Sequence, residues 1–190
     1  MPISTTKMTA RQFLMLGADP PGVRLELVNG EVAVSPSPTP DHSHVIIQLI
    51  FLLEGHNQNR GLGELYQDVD TILDRFNVRR PDLLFFFKSR THLIGKKAME
   101  GPPDLAVEVI SPSSVEVDRE DKFTQYRDAG VRYYWIIDPK LRTIDAWELV
   151  DGKYVQIARA QRDAVVKLLP FPDLEIPLGK LWRRESNRPA

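Results

Sequence analysis

Pro102-Pro103-Asp104-Leu105-Ala106-Val107-Glu108-Val109-Ile110 has the composition of a strand buried on both faces. A short, solidly apolar run entered through a proline pair suits a central strand rather than an amphipathic edge. Glu108 is the exception, an acid flanked by Val107 and Val109 where the pattern demands burial. Burying a carboxylate costs several kcal/mol unless it is paired or bound to metal. The structural alternative is a buried ion pair with Arg79 or Arg80; the functional reading makes Glu108 part of a site.

Working upstream, Val78 to Phe87 is a second solid apolar run and Leu65 to Leu73 alternates, so three strands are expected before Glu108 is passed. Asp41 to Arg60 carries Val45, Ile46, Leu49, Leu52 and Leu53 at helical spacing, with Asp41 as N-cap and Gly61 at the end. Val23 to Val34 reads as a hairpin turned by Asn29-Gly30, a register in which Glu26 and Glu31 share a face. Thr9 to Leu16 reads as a short helix.

Downstream, Asp118 to Ala129 is a helix closed by Gly130, and Tyr133 to Ile137 a strand closed by Asp138-Pro139. Thr143 to Leu149 and Tyr154 to Ala158, turned by Asp151-Gly152, and an apolar tail from Val165 to Leu168 that ends at Trp182 form a peripheral extension. Arg183 to Ala190 reads as a frayed end. The fold class is α/β, ordered helix, three strands, helix, strand, with an N-terminal hairpin and a C-terminal β extension. Residues 1–190 form one domain, core about 23–139 and peripheral strands 140–182.

The composition, 42% hydrophobic and 27% charged over 190 residues, is that of a globular chain with a real core. No cysteine is present, which removes disulfides, thiolate metal sites and cysteine nucleophiles. Neither a basic-then-apolar leader nor an apolar run near the roughly 20 residues of a membrane span occurs, so a cytoplasmic protein is expected. A formal charge of -1 excludes a basic nucleic-acid coat and confines nucleic-acid contact to a local patch or a metal. The absence of GxSxG, P-loop and GxGxxG sequences counts against serine hydrolase, nucleotide hydrolase and dinucleotide roles.

Metal-dependent phosphodiester cleavage needs carboxylates from neighbouring elements on a hard cation, plus a charge that orients water. Asp82, in Arg80-Pro81-Asp82-Leu83-Leu84, heads the strand beside Glu108, and neighbouring strands lie about 4.8 Å apart. Asp104 sits four residues before Glu108 on its own strand, about 13 Å away, and reads as a turn or capping acid. Asp118, Lys122 and Tyr126 share one helix face at i, i+4, i+8; a solvated lysine is the ordinary reading of Lys122 by itself. His42 and His44 diverge by about 200° and cannot form an i, i+4 zinc pair; either could sit near a phosphate at the helix N-terminus, although a first-turn polar residue is the commoner explanation. Arg79-Arg80, Lys88/Arg90 and Lys96-Lys97 are candidates for a phosphate groove, although such clusters usually form solvated faces.

In combination these segments resemble the PD-(D/E)xK nuclease superfamily, and more narrowly the bacterial restriction-endonuclease family of the Uma-two type. The likeness runs through Leu25-Glu26-Leu27-Val28-Asn29-Gly30-Glu31, Ser35-Pro36 to His42, and Arg80-Pro81-Asp82. It continues through Pro103-Asp104-Leu105-Ala106-Val107-Glu108-Val109-Ile110-Ser111-Pro112-Ser113-Ser114, with Asp118, Lys122 and Tyr126, to Gly130-Val131 and Tyr134-Trp135-Ile136-Ile137-Asp138-Pro139. The resemblance implies a three-layered α/β core in which Asp82 and Glu108 bind Mg2+ or Mn2+. It also implies a Val109 carbonyl completing the site and Glu31 or Glu26 as a further acid. The superfamily's lysine two residues after the acid is replaced here by Ile110, and Lys122 matches a lysine moved to the following helix. The implied activity is Mg2+-dependent DNA endonuclease, and a homodimer is a plausible expectation because cutting both strands often uses two copies; the alternative is a noncatalytic nuclease-like module that binds nucleic acid or protein.

Overall fold

In the computed structural model, residues 7–35, 38–111 and 117–183 are described; Pro36, Pro112-Ser113-Ser114 and most of the expected frayed tail lie outside them. The chain runs α1 (Ala10–Phe13), β1 (Arg24–Val28), β2 (Glu31–Ser35), α2 (Pro40–Arg60), β3 (Gly63–Gln67) and β4 (Thr71–Asp74). It continues β5 (Asn77–Arg79), β6 (Leu83–Phe87), β7 (Leu105–Val109), α3 (Lys122–Ala129) and β8 (Tyr133–Asp138). Last come β9 (Thr143–Val150), β10 (Lys153–Gln161), β11 (Val165–Leu168) and β12 (Phe171–Pro177). No helix among the described residues is long and apolar enough to cross a membrane.

Six strands form the central sheet in the order β10-β9-β8-β7-β6-β3, with β7 and β8 parallel and the other pairs antiparallel. A second, four-stranded sheet has the order β2-β1-β5-β4, and β11 pairs with β12 separately. Within the central sheet the expected order holds: α2, then β3, β6 and β7, then α3 and β8. Two expected strands are each broken in two. The run 65–73 breaks at Asp68, whose φ is 56°, and the run 78–87 breaks at Arg80-Pro81. Proline lacks the N–H that a central ladder requires, and a left-handed residue turns the chain out of its sheet. Both runs therefore pass from one sheet to the other, at a corner where Arg80 pairs with Asp70, and Asp82 stands there.

Odd-numbered residues of the central strands, among them Leu83, Phe85, Leu105, Val107, Val109, Trp135 and Ile137, pack against Val45, Ile46, Leu49 and Leu53 of α2. Even-numbered Ala106, Ile110, Tyr134 and Ile136 face Tyr126 of α3. This gives the three layers expected and turns Glu108 toward α3. The β extension after residue 140 is present but is not peripheral. β9 pairs along the whole of β8, and Ile144, Leu168, Phe171, Ile176, Leu181 and Trp182 join the main core. Two indoles fasten it, Trp135 Nε1 donating to the Leu169 carbonyl at 2.9 Å and Trp182 Nε1 to the Arg162 carbonyl at 2.6 Å.

Local signals were mostly sufficient. Asn29 and Gly30 have φ of 53° and 84°, as a tight hairpin turn demands, and left-handed glycines end α2 and α3. The cap of α2 is a correction. Thr39, not Asp41, is the N-cap, its hydroxyl accepting from the His42 N–H at 3.3 Å, with Pro40 at the first helical position.

Candidate active site

β6 and β7 pair antiparallel with Leu83 opposite Val107, and one more residue of that register sets Asp82 across from Glu108. Glu108 is 1% exposed; its Oε2 lies 2.8 Å from Lys122 Nζ and its Oε1 accepts from the Tyr126 hydroxyl at 2.6 Å. The ion pair with Arg79 or Arg80 is not formed, because those guanidiniums are taken elsewhere. Arg79 Nη1 pairs with Glu26 at 3.0 Å, and Arg80 pairs with Asp19 and Asp70 at 2.6 and 2.9 Å. Arg90 is likewise consumed by Asp104, so three of the cations expected to line a phosphate groove serve internal pairing.

Asp82 Oδ2 accepts from the Val109 N–H at 2.8 Å and lies 3.0 Å from His42 Nε2; its Oδ1 is 3.6 Å from Arg24 Nη1. An ionised Asp82 accepts, so the proton belongs on His42 Nε2, and the buried Nδ1 has no hydrogen-bond partner among the described residues. Arg24 in turn pairs with Asp68. Asp118 Oδ1 is 3.0 Å from Lys122 Nζ, close enough for an ion pair but out of line for a hydrogen bond, so it too has no hydrogen-bond partner among the described residues.

One ammonium thus serves several acids. Burial alone disfavours charge on Lys122, but Glu108, Glu26, Asp118 and Asp82 outweigh it and raise its pKa, keeping it protonated. Burial would also raise Asp82 and Glu26. His42, Lys122 and the Val109 N–H instead bring Asp82 below the carboxylate range, and Lys122, Arg79 and the Arg80 N–H do the same for Glu26. Glu108 goes the other way: burial, then Asp82 and Asp118, lift it well above its ordinary value against the pull of Lys122.

These groups wall a cavity of about 560 Å3 between the β1–β2 hairpin, the ends of β6 and β7, and the start of α3. Among the expected site residues, Asp82, Glu108 and Lys122 come together, and Glu26, paired with Arg79, also feels the charge of Lys122. Glu31 lines the cavity but is exposed and, among the described residues, takes no part in the network. Val109 contributes its N–H to Asp82. His42 is the residue whose place the sequence did not reveal: helical spacing rules out a zinc pair, but says nothing of which strand end α2 abuts.

Hard oxygen donors suit Mg2+ or Mn2+, and the hydrogen-bond-free Asp118 Oδ1 beside Asp82 and Glu108 fits that chemistry. Among the described residues no three His, Asp or Glu side chains already form a metal-holding group.

The solved structure titled "Crystal structure of a putative nuclease belonging to DUF820 from Anabaena variabilis ATCC 29413" is similar in fold. Its TM-score is 0.75 at 18% identity, covering 92% of this chain and 97% of that one. No curated protein matches the chain. Residues 10–179 match the model of the family described as "Uma2: Putative restriction endonuclease". With nine-tenths of its length inside that match and a restriction-endonuclease-like fold around the paired acids, the chain belongs to the Uma2 family.

Proposed function

We propose that this protein is a metal-dependent DNA endonuclease whose chemistry centres on Asp82, Glu108 and Lys122. The observation that carries the reading is the placement of Asp82 opposite Glu108 at a cavity wall, with the Lys122 ammonium 2.8 Å from Glu108. When bound by Asp82 and Glu108, Mg2+ or Mn2+ would supply Lewis-acid stabilisation and acidify a water. The chain's own residues do the rest. Tyr126 and Lys122 hold Glu108 in one orientation, and His42 and the Val109 N–H hold Asp82. Lys122, kept charged by its surroundings, offsets the negative charge that builds as water attacks the phosphodiester. Arg24, at the same wall, adds a second positive group beside Asp82.

Nicking of supercoiled plasmid with Mg2+ or Mn2+ tests this, comparing the parent with Asp82→Asn, Glu108→Gln and Lys122→Ala. Loss of nicking in all three variants is expected, and equal activity in all four proteins would refute the assignment.

A second reading, a noncatalytic nuclease-like binding module, is favoured by one observation: both acids are already engaged, Asp82 by His42 and Glu108 by the shared Lys122. Such a module shows no Mn2+-dependent rise in melting temperature, whereas the endonuclease shows one that disappears in Asp82→Asn.

A further inference from the structure

Glu108 is held in place by the ladder of β7 and β8, but the lysine it shares with other acids stands outside the sheet. Lys122 opens α3, and the chain reaches it through a π-helical turn, Val117–Asp121. Single π turns joined to α-helices are frequent at functional sites. Asp118, 1% exposed, belongs to this turn and sets its carboxylate 3.0 Å from Lys122 Nζ. Whatever fixes the turn therefore fixes where the ammonium stands beside Glu108.

Two contacts fasten the turn to the central sheet. The Tyr134 hydroxyl, from β8, donates to the Asp118 carbonyl at 2.8 Å. Arg119 reaches further, with Nη1 3.3 Å from Asp145 Oδ2 on β9 and Nη2 3.9 Å from Asp138 Oδ2 at the end of β8. None of Arg119, Asp138 and Asp145 lines the cavity, yet the strand register puts their anchor close to it. Glu108 lies beside Ile136, and Ile136 opposite Asp145, so the three share one row and one face of the sheet. Asp145 is two strand spacings from Glu108, about 10 Å.

Asp145 does not depend on Arg119 to have its charge met. It is 1% exposed, and β10 already brings two donors to its Oδ1, Gln156 Nε2 at 3.0 Å and Arg159 Nε at 3.4 Å. Asp138 Oδ1 likewise accepts from the Leu141 N–H at 2.9 Å. Arg159 stands directly opposite Asp145 in the β9–β10 ladder, so its pair links strands that are already linked. The Arg119 pair links a separate element to them. A planar guanidinium spanning two carboxylates fixes direction as well as distance.

We propose that Arg119 is a positioning residue: by tying the turn at 117–121 to Asp145 and Asp138, it sets Lys122 and Asp118 against Glu108. The tie itself stands on these contacts; its value for cleavage rests on the endonuclease reading. Misplacing a reacting group by about 1 Å costs on the order of 100-fold in rate, so a loosened turn lowers turnover without weakening substrate binding.

Arg159 provides the control, because it pairs with the same carboxylate but not on behalf of the turn. Four full-length proteins are compared: the parent, Arg119→Gln, Arg119→Lys and Arg159→Gln. Nicking of supercoiled plasmid with Mg2+ gives kcat and KM, and hydrogen exchange read by mass spectrometry gives the protection of residues 117–125. Arg119→Gln should lower kcat at least about 10-fold with KM within about twofold, Arg119→Lys should recover part of the loss, and Arg159→Gln should match the parent. Exchange over 117–125 should quicken at least about 10-fold in Arg119→Gln and keep the parent rate in Arg159→Gln. Should Arg119→Gln not fold, Arg119→Lys carries the same two readouts with smaller losses. A parent kcat or parent exchange in the Arg119 variants, or an equal loss in Arg159→Gln, would overturn the proposal. So would a rise in KM in place of the fall in kcat, which marks a substrate contact instead. If the parent does not nick, the endonuclease reading fails by itself and exchange decides the tie. Faster exchange confined to 117–125 in the Arg119 variants then upholds it, and unchanged or chain-wide exchange sinks it.

Discussion

Strand β7 carries a buried acid at one end and another acid leads into its other end, and the two meet opposite fates. Asp104, just before the strand, is 7% exposed and held by the end of β6 and the turn that follows it. It accepts from the Phe87 N–H and from Arg90 Nη1, each at 2.9 Å, while Arg90 Nη2 also donates to the Pro102 carbonyl. Glu108 takes its partners from α3, faces a cavity, and shares its lysine with Glu26, Asp118 and Asp82. Burial is common to both acids; crowding by like charge is not. An acid with its own local donors closes off a structure, whereas acids that compete for one cation leave unmet electrostatic demand where a substrate or ion can enter.

The harshest way to break the contrast is Lys122→Ala. Removing one partner from a buried pair typically costs about 3–5 kcal/mol, and here several acids lose the same cation. Urea denaturation should show a loss of that order, and nicking should fall by at least about 100-fold, the scale of losing one preorganised charge at a reacting centre. A Lys122→Ala protein as stable as the parent would show the acids to be independent of one another.

A paired comparison comes next. Asp104→Asn should lower stability by about 1–3 kcal/mol through the weakened Arg90 clamp, while the folded protein nicks plasmid at the parent rate. Glu108→Gln should do the reverse, abolishing nicking with little stability loss near neutrality. If both variants lose nicking to the same degree, the distinction between the two acids is void.

The effect of pH sharpens it further, because the two buried glutamates have opposite signs. Glu26 is held below its ordinary value, so its contribution is present above the unfolded carboxyl value of about 4.3 and is lost as pH falls through the folded one. Glu108 is raised, so its contribution is complete below about 4.3 and is lost as pH rises through the folded value. Measured by urea unfolding from acid to neutral pH, Glu108→Gln should therefore gain on the parent as pH rises. Glu26→Gln should fall behind it over the acid range.

Glu31→Gln should matter least. The side chain is exposed, and a change within about 0.5 kcal/mol in stability with near-parent nicking is expected. A large loss of nicking would instead bring Glu31 into the site that its register with Glu26 first suggested.

The legible parts of the molecule were those encoded by neighbours in sequence. The apolar run at Leu105–Val109, the Asn29-Gly30 turn and the glycine ends of α2 and α3 needed only local geometry. The convergence of Asp82, Glu108 and Lys122 was legible because an acid in an apolar strand is costly, and because the family pattern supplied the lysine's displacement to a helix. What escaped depends on distant parts of the chain. The changes of sheet at Asp68 and Arg80-Pro81 hide within continuous strand-like patterns, since alternation does not name a strand's partner. The burial of Phe171, Ile176 and Trp182 was missed because each is apolar in a segment interrupted by turns. The His42–Asp82 contact joins residues 40 positions apart, which no local period records.

Where the chain changes sheet, it also divides the labour of alignment. Glu26 is set by the pairing of β1 with β2 and β5, whereas Asp82 and Glu108 are set by β6 against β7. A slip of one residue reverses every side chain of the strand that slips. A misaligned hairpin would thus turn Glu26 away from Arg79 yet leave the acid pair abreast. The pocket's roof and its floor are two separately indexed parts, joined at a hinge of backbone beside Pro81.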